Sequence, residues 1–287
     1  MRILVTGARG QLGFDCIREL KKRGFTDIIA IDKEELDITD DKAVSSFVSK
    51  CKPDVIMHNA AWTAVDKAEE CKEAAYEINV LGTKYIAEAA EKIGSKMVYI
   101  STDYVFPGKG DKFYEVNDET GPISFYGLTK LQGEEAAKVC SRLFIVRISW
   151  AFGINGKNFV KTMLKLSETY NELTIVNDQI GSPTYTVDLA RLLCDMIGTN
   201  KYGVYHATNE GVCSWADFAE EIFKQAKRNV IVHTVTTEEY LKEKPNQAHR
   251  PLNSRLSKLK LDESGFTRLP SWREAVKRYL VELDVVK

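Results

Sequence analysis

The chain has 287 residues, 44% of them hydrophobic, with 40 basic against 41 acidic side chains and a formal net charge of −1. That length can bury a large core, one full domain plus a smaller lobe, and exceeds what a lone binding module needs. Near-neutral charge without a dense Lys/Arg block argues against nucleic acid as a partner, and no apolar run approaches the roughly 20 residues that span a bilayer.

Arg2-Ile3-Leu4-Val5 is a short branched apolar run, so Met1 leads into a strand rather than a signal peptide, and a cytoplasmic protein with no membrane partner is expected. Thr6-Gly7-Ala8-Arg9-Gly10-Gln11-Leu12-Gly13 follows, and then Leu12, Cys16, Ile17 and Leu20 recur at helical spacing. The order is strand, turn, helix. Glycines lack a Cβ, so the backbone can turn tightly and approach a pyrophosphate, whose charge the helix N-terminus stabilises. Gly7, Gly10, Gln11, Leu12 and Gly13 are the expected grip on a dinucleotide.

A second strand, Ile28 to Asp32, ends about 20 residues beyond that loop, where Asp32 can accept hydrogen bonds from an adenosine ribose. Its charge would repel a 2′-phosphate and favours NADH, while Lys33 beside it leaves NADPH open. Asp37 also fits an N-terminal turn or cap. The third strand, Asp54 to His58, runs into Asn59-Ala60-Ala61-Trp62, whose small side chains would let a cofactor lie against the backbone. Strands Lys96 to Ser101 and Leu143 to Ile148 alternate with helices Lys72 to Ile93, where Asn79 takes a structural place, and Phe125 to Cys140. Such alternation predicts an α/β fold, a doubly wound parallel sheet of Rossmann type, with ligands beyond the C-terminal ends of the strands.

Residues 1–150 form the expected dinucleotide-binding domain, and 151–287 mainly a smaller substrate-binding lobe, with about 186–210 returning to the first domain. Strands Leu173 to Val176 and Gly203 to His206 flank a helix from Val187 to Ile197. Ser214 and Asp217 make a capping-box start to another helix, whose Trp215, Phe218, Ala219, Ile222, Phe223 and Ala226 read as core by spacing. A last helix runs from Ser271 to about Leu283.

Tyr126 and Lys130 are four apart on a predicted helix, hence neighbours on one face, with Cβ atoms roughly 5–6 Å apart. A free tyrosine titrates near ~10; an adjacent ammonium and a nicotinamide's positive charge lower that value and let Tyr126 protonate a carbonyl oxygen. Lys130 would also hold the nicotinamide ribose. Thr102, at the end of the preceding strand, adds a hydroxyl donor. The six cysteines and four histidines lack metal or disulfide spacing, so reduced thiols, structural histidines and no metal site are expected. No G-x-S-x-G elbow supports a serine hydrolase.

The G-x-x-G-x-x-G spacing and the Thr102, Tyr126 and Lys130 set resemble the extended short-chain dehydrogenase/reductases, in which a pair like Asp37-Ile38 contacts adenine. Ser101-Thr102-Asp103-Tyr104-Val105-Phe106, Asn59 to Glu69, Arg147-Ile148-Ser149-Trp150, Asp178 to Thr184 and Arg250-Pro251-Leu252-Asn253-Ser254 resemble the dTDP-4-dehydrorhamnose reductase family over nearly the whole chain. The resemblance implies reduction of the 4-keto group of dTDP-4-dehydro-L-rhamnose by NADH or NADPH, and a possible homodimer. It also implies a sugar pocket lined by Val65, Thr102, Asp103, Tyr104 and Trp150, the last offering an open aromatic face. Arg250, Asn253 and the Gln179 to Thr184 loop are implied contacts to diphosphate or thymidine. Related 4,6-dehydratases carry Asp-Glu where this chain has Asp103-Tyr104, so the pair for eliminating water is missing. Two other readings share these motifs: a reductase of another nucleotide 4-ketosugar, and a non-catalytic regulatory subunit like the β subunit of methionine adenosyltransferase.

Overall fold

The computed structural model describes residues 1–243 and 247–286. Six parallel strands form the central sheet: β1 (Ile3–Thr6), β2 (Ile28–Ile31), β3 (Val55–His58), β4 (Lys96–Thr102), β5 (Leu143–Ile148) and β6 (Gly203–His206), in the order β6-β5-β4-β3-β1-β2. Successive side chains on a strand point to opposite faces, and β1 shows the result. Ile3 and Val5 join the cluster that holds Leu12, Cys16, Leu20, Leu189 and Leu193, whereas Leu4 joins Ile56, Ile86, Tyr99 and Ala137 on the other side. Both faces are covered, which is why these strands are continuous apolar runs.

Helices α1 (Gln11–Lys22), α2 (Thr83–Ile93), α3 (Phe125–Ala137), α4 (Thr186–Ile197), α5 (Trp215–Gln225) and α6 (Trp272–Glu282) supply most of the remaining core. The expected Lys72 to Ile93 helix is interrupted: its Glu77–Gly82 stretch widens into π turns before α2 continues. That widening carries Asn79, whose Oδ1 accepts from Trp62 N (2.8 Å) and whose Nδ2 donates to Thr129 Oγ1 (3.0 Å). Single π turns inside helices often mark functional sites, and this one ties the loop after β3 to α3.

Helix α4 packs in the cluster of Leu12, Leu20, Leu189 and Leu193, and β6 pairs with β5 at the sheet edge. Leu261, Phe266 and Leu269 bury into the same cluster. The second lobe has its own core of Phe152, Val160, Phe218, Ile222, Trp272, Val276 and Tyr279. Helix α5 starts at a formed capping box, with Ser214 Oγ accepting from Asp217 N and Asp217 Oδ2 from Ser214 N. Ile180–Gly181 sits between Cys213–Ser214 and Asn253–Ser254 as a three-stranded ribbon facing the sheet's C-terminal ends. No helix among the described residues is long and apolar enough to cross a membrane, and all six cysteines are free thiols.

Candidate active site

Strand order reverses between β1 and β3, the point at which open α/β sheets bind ligands. A cleft of about 930 Å³ opens there, lined by the turn after β1, the ends of β2 to β5 and the second lobe. Gly7 has φ +61°, and a Cβ on it would stand 2.8 Å from Ala60 N; one on Gly13 would stand 2.1 Å from Gly7 O. The wall here is bare backbone, close enough packed that no side chain fits. Gly10 caps α1 without a side-chain hydrogen bond, so the helix N-terminus keeps N–H groups for an anion.

Asp32 stands at the end of β2, with Oδ2 accepting from Arg9 N (3.0 Å) and Oδ1 from Lys33 N (3.1 Å). The Arg9 guanidinium folds away onto Glu34 and Glu35. Asp37 forms a turn, accepting from Thr39 N (3.0 Å) and Thr39 Oγ1 (2.7 Å), which holds its carboxyl below the usual range. Both roles anticipated for Asp37 stay compatible with this geometry, because Asp37 and Ile38 also line the cleft, as do Ala60, Ala61 and Trp62. Asn59 Oδ1 is buried at the same wall with no partner among the described residues. An orphaned acceptor, a glycine cradle and an uncapped helix end together fit a dinucleotide.

Thr102 ends β4, and Tyr126 and Lys130 lie on the first turns of α3, whose start Ser124 fixes by accepting from Gly127 N (3.2 Å). The Tyr126 phenol lies near enough to the Thr102 hydroxyl to interact with it. Burial pushes the Tyr126 phenol up, against the Thr102 hydrogen bond, and the Asp103 carboxylate adds to the rise. Burial also pulls Lys130 down to about 7. Its Nζ lies 4.1 Å from the Tyr99 ring centroid. Glu134, which opposes that fall, is committed to Arg147 in a buried pair at 2.7 Å. Burial favours the neutral form of both side chains, while the lowering expected from a nicotinamide's positive charge belongs to the loaded enzyme. A neutral phenol is the form that can give a proton away.

Asp103 is buried; its Oδ1 accepts from Thr102 Oγ1 (3.0 Å) and its Oδ2 from Ser254 Oγ, and burial pushes it up to about 6. In this arrangement the Thr102 proton points at Asp103 rather than into the cleft. Tyr104 stands edge-on to Tyr126 at 5.4 Å between centroids, and burial together with Asp103 raises its phenol further. His58, held between Thr6 Oγ1 (2.9 Å) and Thr83 Oγ1 (3.2 Å), is drawn down to about 3 by burial and stays a neutral structural histidine.

Val65, Thr102, Asp103, Tyr104 and Trp150 line the cleft, and the residues implied as diphosphate or thymidine contacts already have partners within the fold. Arg250 Nη2 donates to both Asp66 oxygens (2.9 Å each) and Nη1 to Ala248 O (3.1 Å). Asn253 is buried, donating to Lys112 O (2.8 Å) and accepting from Arg255 N (3.2 Å). The Gln179 to Thr184 loop spends its polar groups internally, with Ser182 Oγ on Gly211 O and Thr184 Oγ1 on Ser149 O, both 2.6 Å. In each case backbone carbonyls or carboxylates that the fold brings alongside engage these donors. Trp215 stacks on one face of Trp150 at 3.8 Å. Trp215, read as core from its spacing, packs against the second lobe's core and also lines the cleft. Its place beside the capping box, in the first turn and not the helix interior, was the available signal.

A glycine cradle at the switch point and a Thr-Tyr-Lys set at the end of β4 define a Rossmann-type, dinucleotide-dependent reductase of the short-chain kind. The family model described as the RmlD substrate binding domain matches residues 1–285. The chain belongs to that family, the dTDP-4-dehydrorhamnose reductases. It is 43% identical to a spore coat polysaccharide biosynthesis protein of Bacillus subtilis, over 98% of this chain and 97% of that one. It is 41% identical to the dTDP-4-dehydrorhamnose reductase of Aggregatibacter actinomycetemcomitans, over 96% and 97%. Among solved structures it resembles a dTDP-4-dehydrorhamnose reductase from Clostridium acetobutylicum (TM-score 0.95, 44% identity, 99% and 100% coverage). A second, from Bacillus anthracis and in complex with NADP, gives TM-score 0.93 at 42% identity, with 98% and 99% coverage.

Proposed function

We propose that this protein reduces the 4-keto group of dTDP-4-dehydro-L-rhamnose to give dTDP-L-rhamnose, with NADH or NADPH as reductant. The observation that carries the reading is one cleft holding both a glycine cradle and a neutral phenol, Tyr126, one helical turn from Lys130. The names of its relatives select the substrate. Bound nicotinamide cofactor supplies the hydride.

Gly7, Gly10, Gln11, Leu12 and Gly13 would hold the pyrophosphate, and Asp32, Asp37 and Ile38 the adenosine end. Ala60, Ala61 and Trp62 would flank the remainder, and Lys130 the nicotinamide ribose. Tyr126 gives its phenolic proton to O4 as C4 is reduced, and solvent reprotonates it afterwards. Thr102 orients Tyr126 by the hydroxyl pair, and Asp103 fixes Thr102. Tyr104, its phenol raised by burial and by Asp103, cannot take up a proton as the glutamate of a dehydratase does. Val65 and Trp150 complete the sugar pocket. Since the substrate is a dissolved sugar nucleotide, the reading entails a cytoplasmic enzyme.

The test incubates purified protein and NADH or NADPH with a panel of nucleotide 4-ketosugars, and separately NAD with dTDP-glucose. Consumption of NAD(P)H only with the dTDP-4-keto-6-deoxy-L-sugar is expected, and no product from dTDP-glucose. Preference for another nucleotide ketosugar would reassign the substrate. Indifference to all of them, beside a change in methionine adenosyltransferase kinetics on mixing, would make the chain a regulatory subunit.

A further inference from the structure

Trp150 has a left-handed backbone, φ +49°. A bulky side chain stays there only when its surroundings over-determine it. Three contacts do so. The Trp150 carbonyl accepts from Thr184 N (3.2 Å). Its indole lies against Gly181, where a Cβ would come within 3.0 Å of the ring. It also stacks on Trp215, with centroids 3.8 Å apart and planes 16° apart.

Trp215 is in turn fixed on every side. The capping box sets its backbone, and Phe159 packs 4.6 Å from its ring. Its Nε1 donates to Gln179 Oε1 (3.1 Å). Gln179 Nε2 donates to Thr237 Oγ1 (3.0 Å), and Thr237 Oγ1 donates to Asp178 Oδ1 (2.6 Å). The Asp178 to Thr184 loop, whose groups do not reach the cleft, is thus the frame behind the tryptophan pair.

We propose that Trp215 is a positioning residue for sugar recognition: it holds Trp150 as a fixed apolar wall for the deoxysugar ring, with no part in holding the nucleotide or the cofactor. This rests on the reductase reading above. A rigid aromatic wall suits a sugar that has lost a hydroxyl, because the wall offers no hydrogen bond in exchange for one.

The experiment compares wild type with Trp215→Ala, Trp215→Phe and Gln179→Ala. It measures Kd for dTDP-L-rhamnose, dTDP and NADPH, the KM and kcat of reduction, and the near-ultraviolet circular dichroism couplet that two stacked indoles produce. In Trp215→Ala the couplet disappears and dTDP-L-rhamnose binds roughly 5–10-fold more weakly, with KM rising more than kcat falls. Affinities for dTDP and NADPH stay within about twofold. Trp215→Phe, which keeps an aromatic partner, restores most sugar affinity, and Gln179→Ala falls between.

Lost couplet with unchanged affinity for dTDP-L-rhamnose overturns the inference, as does an equal loss for NADPH. If wild type binds NADPH but neither dTDP compound, the functional reading falls and this inference with it; wild-type binding beside an indifferent variant overturns the inference alone.

Discussion

The two walls of the cleft are made of different material. On the β1 side the surface is backbone: Gly7 against Ala60, Gly13 against Gly7, and an uncapped helix end. On the far side it is side chains from separate segments, Trp150 on Trp215, Trp215 on Gln179, Asp103 on Ser254. A backbone wall tolerates almost no added volume, and its polar groups are fixed by the fold rather than by which side chains are present. A side-chain wall depends on each partner being present, and removing one loosens the next.

The largest expected effect lies where the walls meet. Tyr126→Phe removes only the hydroxyl beside Thr102 and should lower kcat by roughly 10²–10⁴-fold, the scale of positioned acid–base catalysis. NADPH affinity, measured by fluorescence titration, should hardly move. Near-normal turnover would take Tyr126 out of the chemistry.

The backbone wall is broken by Gly13→Ala, whose methyl would fall 2.1 Å from Gly7 O. Helix α1 must lift from the turn, and overpacking of that kind costs about 1–3 kcal/mol. NADPH should bind about 10-fold or more weakly, while dTDP affinity, a property of the other side, stays close to wild type. Equal loss of both would show that the walls are not separable.

The smallest effect sharpens the account of the dry floor. Lys130 is drawn from 10.5 down to about 7, so between those values the unfolded chain binds the proton more tightly. Its contribution to stability is full above the unfolded value and lost as pH falls through the folded one. Lys130→Met has no such loss. The variant should therefore melt a few °C above wild type near pH ~7, with the gap closing as pH rises towards ~10. A gap of constant size across that range would mean the ammonium is not paying a burial cost.

The backbone half was legible early because its determinants are local. Ile3 to Thr6 and Leu143 to Ile148 appear as read, since a strand buried on both faces has no choice but a continuous apolar run. Gly7 and Gly13 signal close approach by lacking a Cβ, and Ser214 with Asp217 signals a helix start within four residues. Where locality failed, so did the reading: the Lys72 to Ile93 periodicity gives no hint of the wide turns that Asn79 needs.

Arg250, Asn253 and the Gln179 to Thr184 loop are implied as ligand contacts by resemblance alone. In the fold Arg250 meets Asp66, 184 residues away, and Asn253 meets Lys112 O, 141 residues away, partners that no local pattern announces. Helical spacing placed Trp215 on the core side, where it packs, but spacing does not report that the same face ends at a cleft. By itself the sequence determined the strands, the glycine cradle and the Tyr126/Lys130 pair, each encoded in residues a few places apart. Only the tertiary structure decided which polar groups remain free for a ligand and which charges survive burial. Both depend on the neighbours that folding brings together from remote parts of the chain, and a buried donor takes whatever acceptor it meets first.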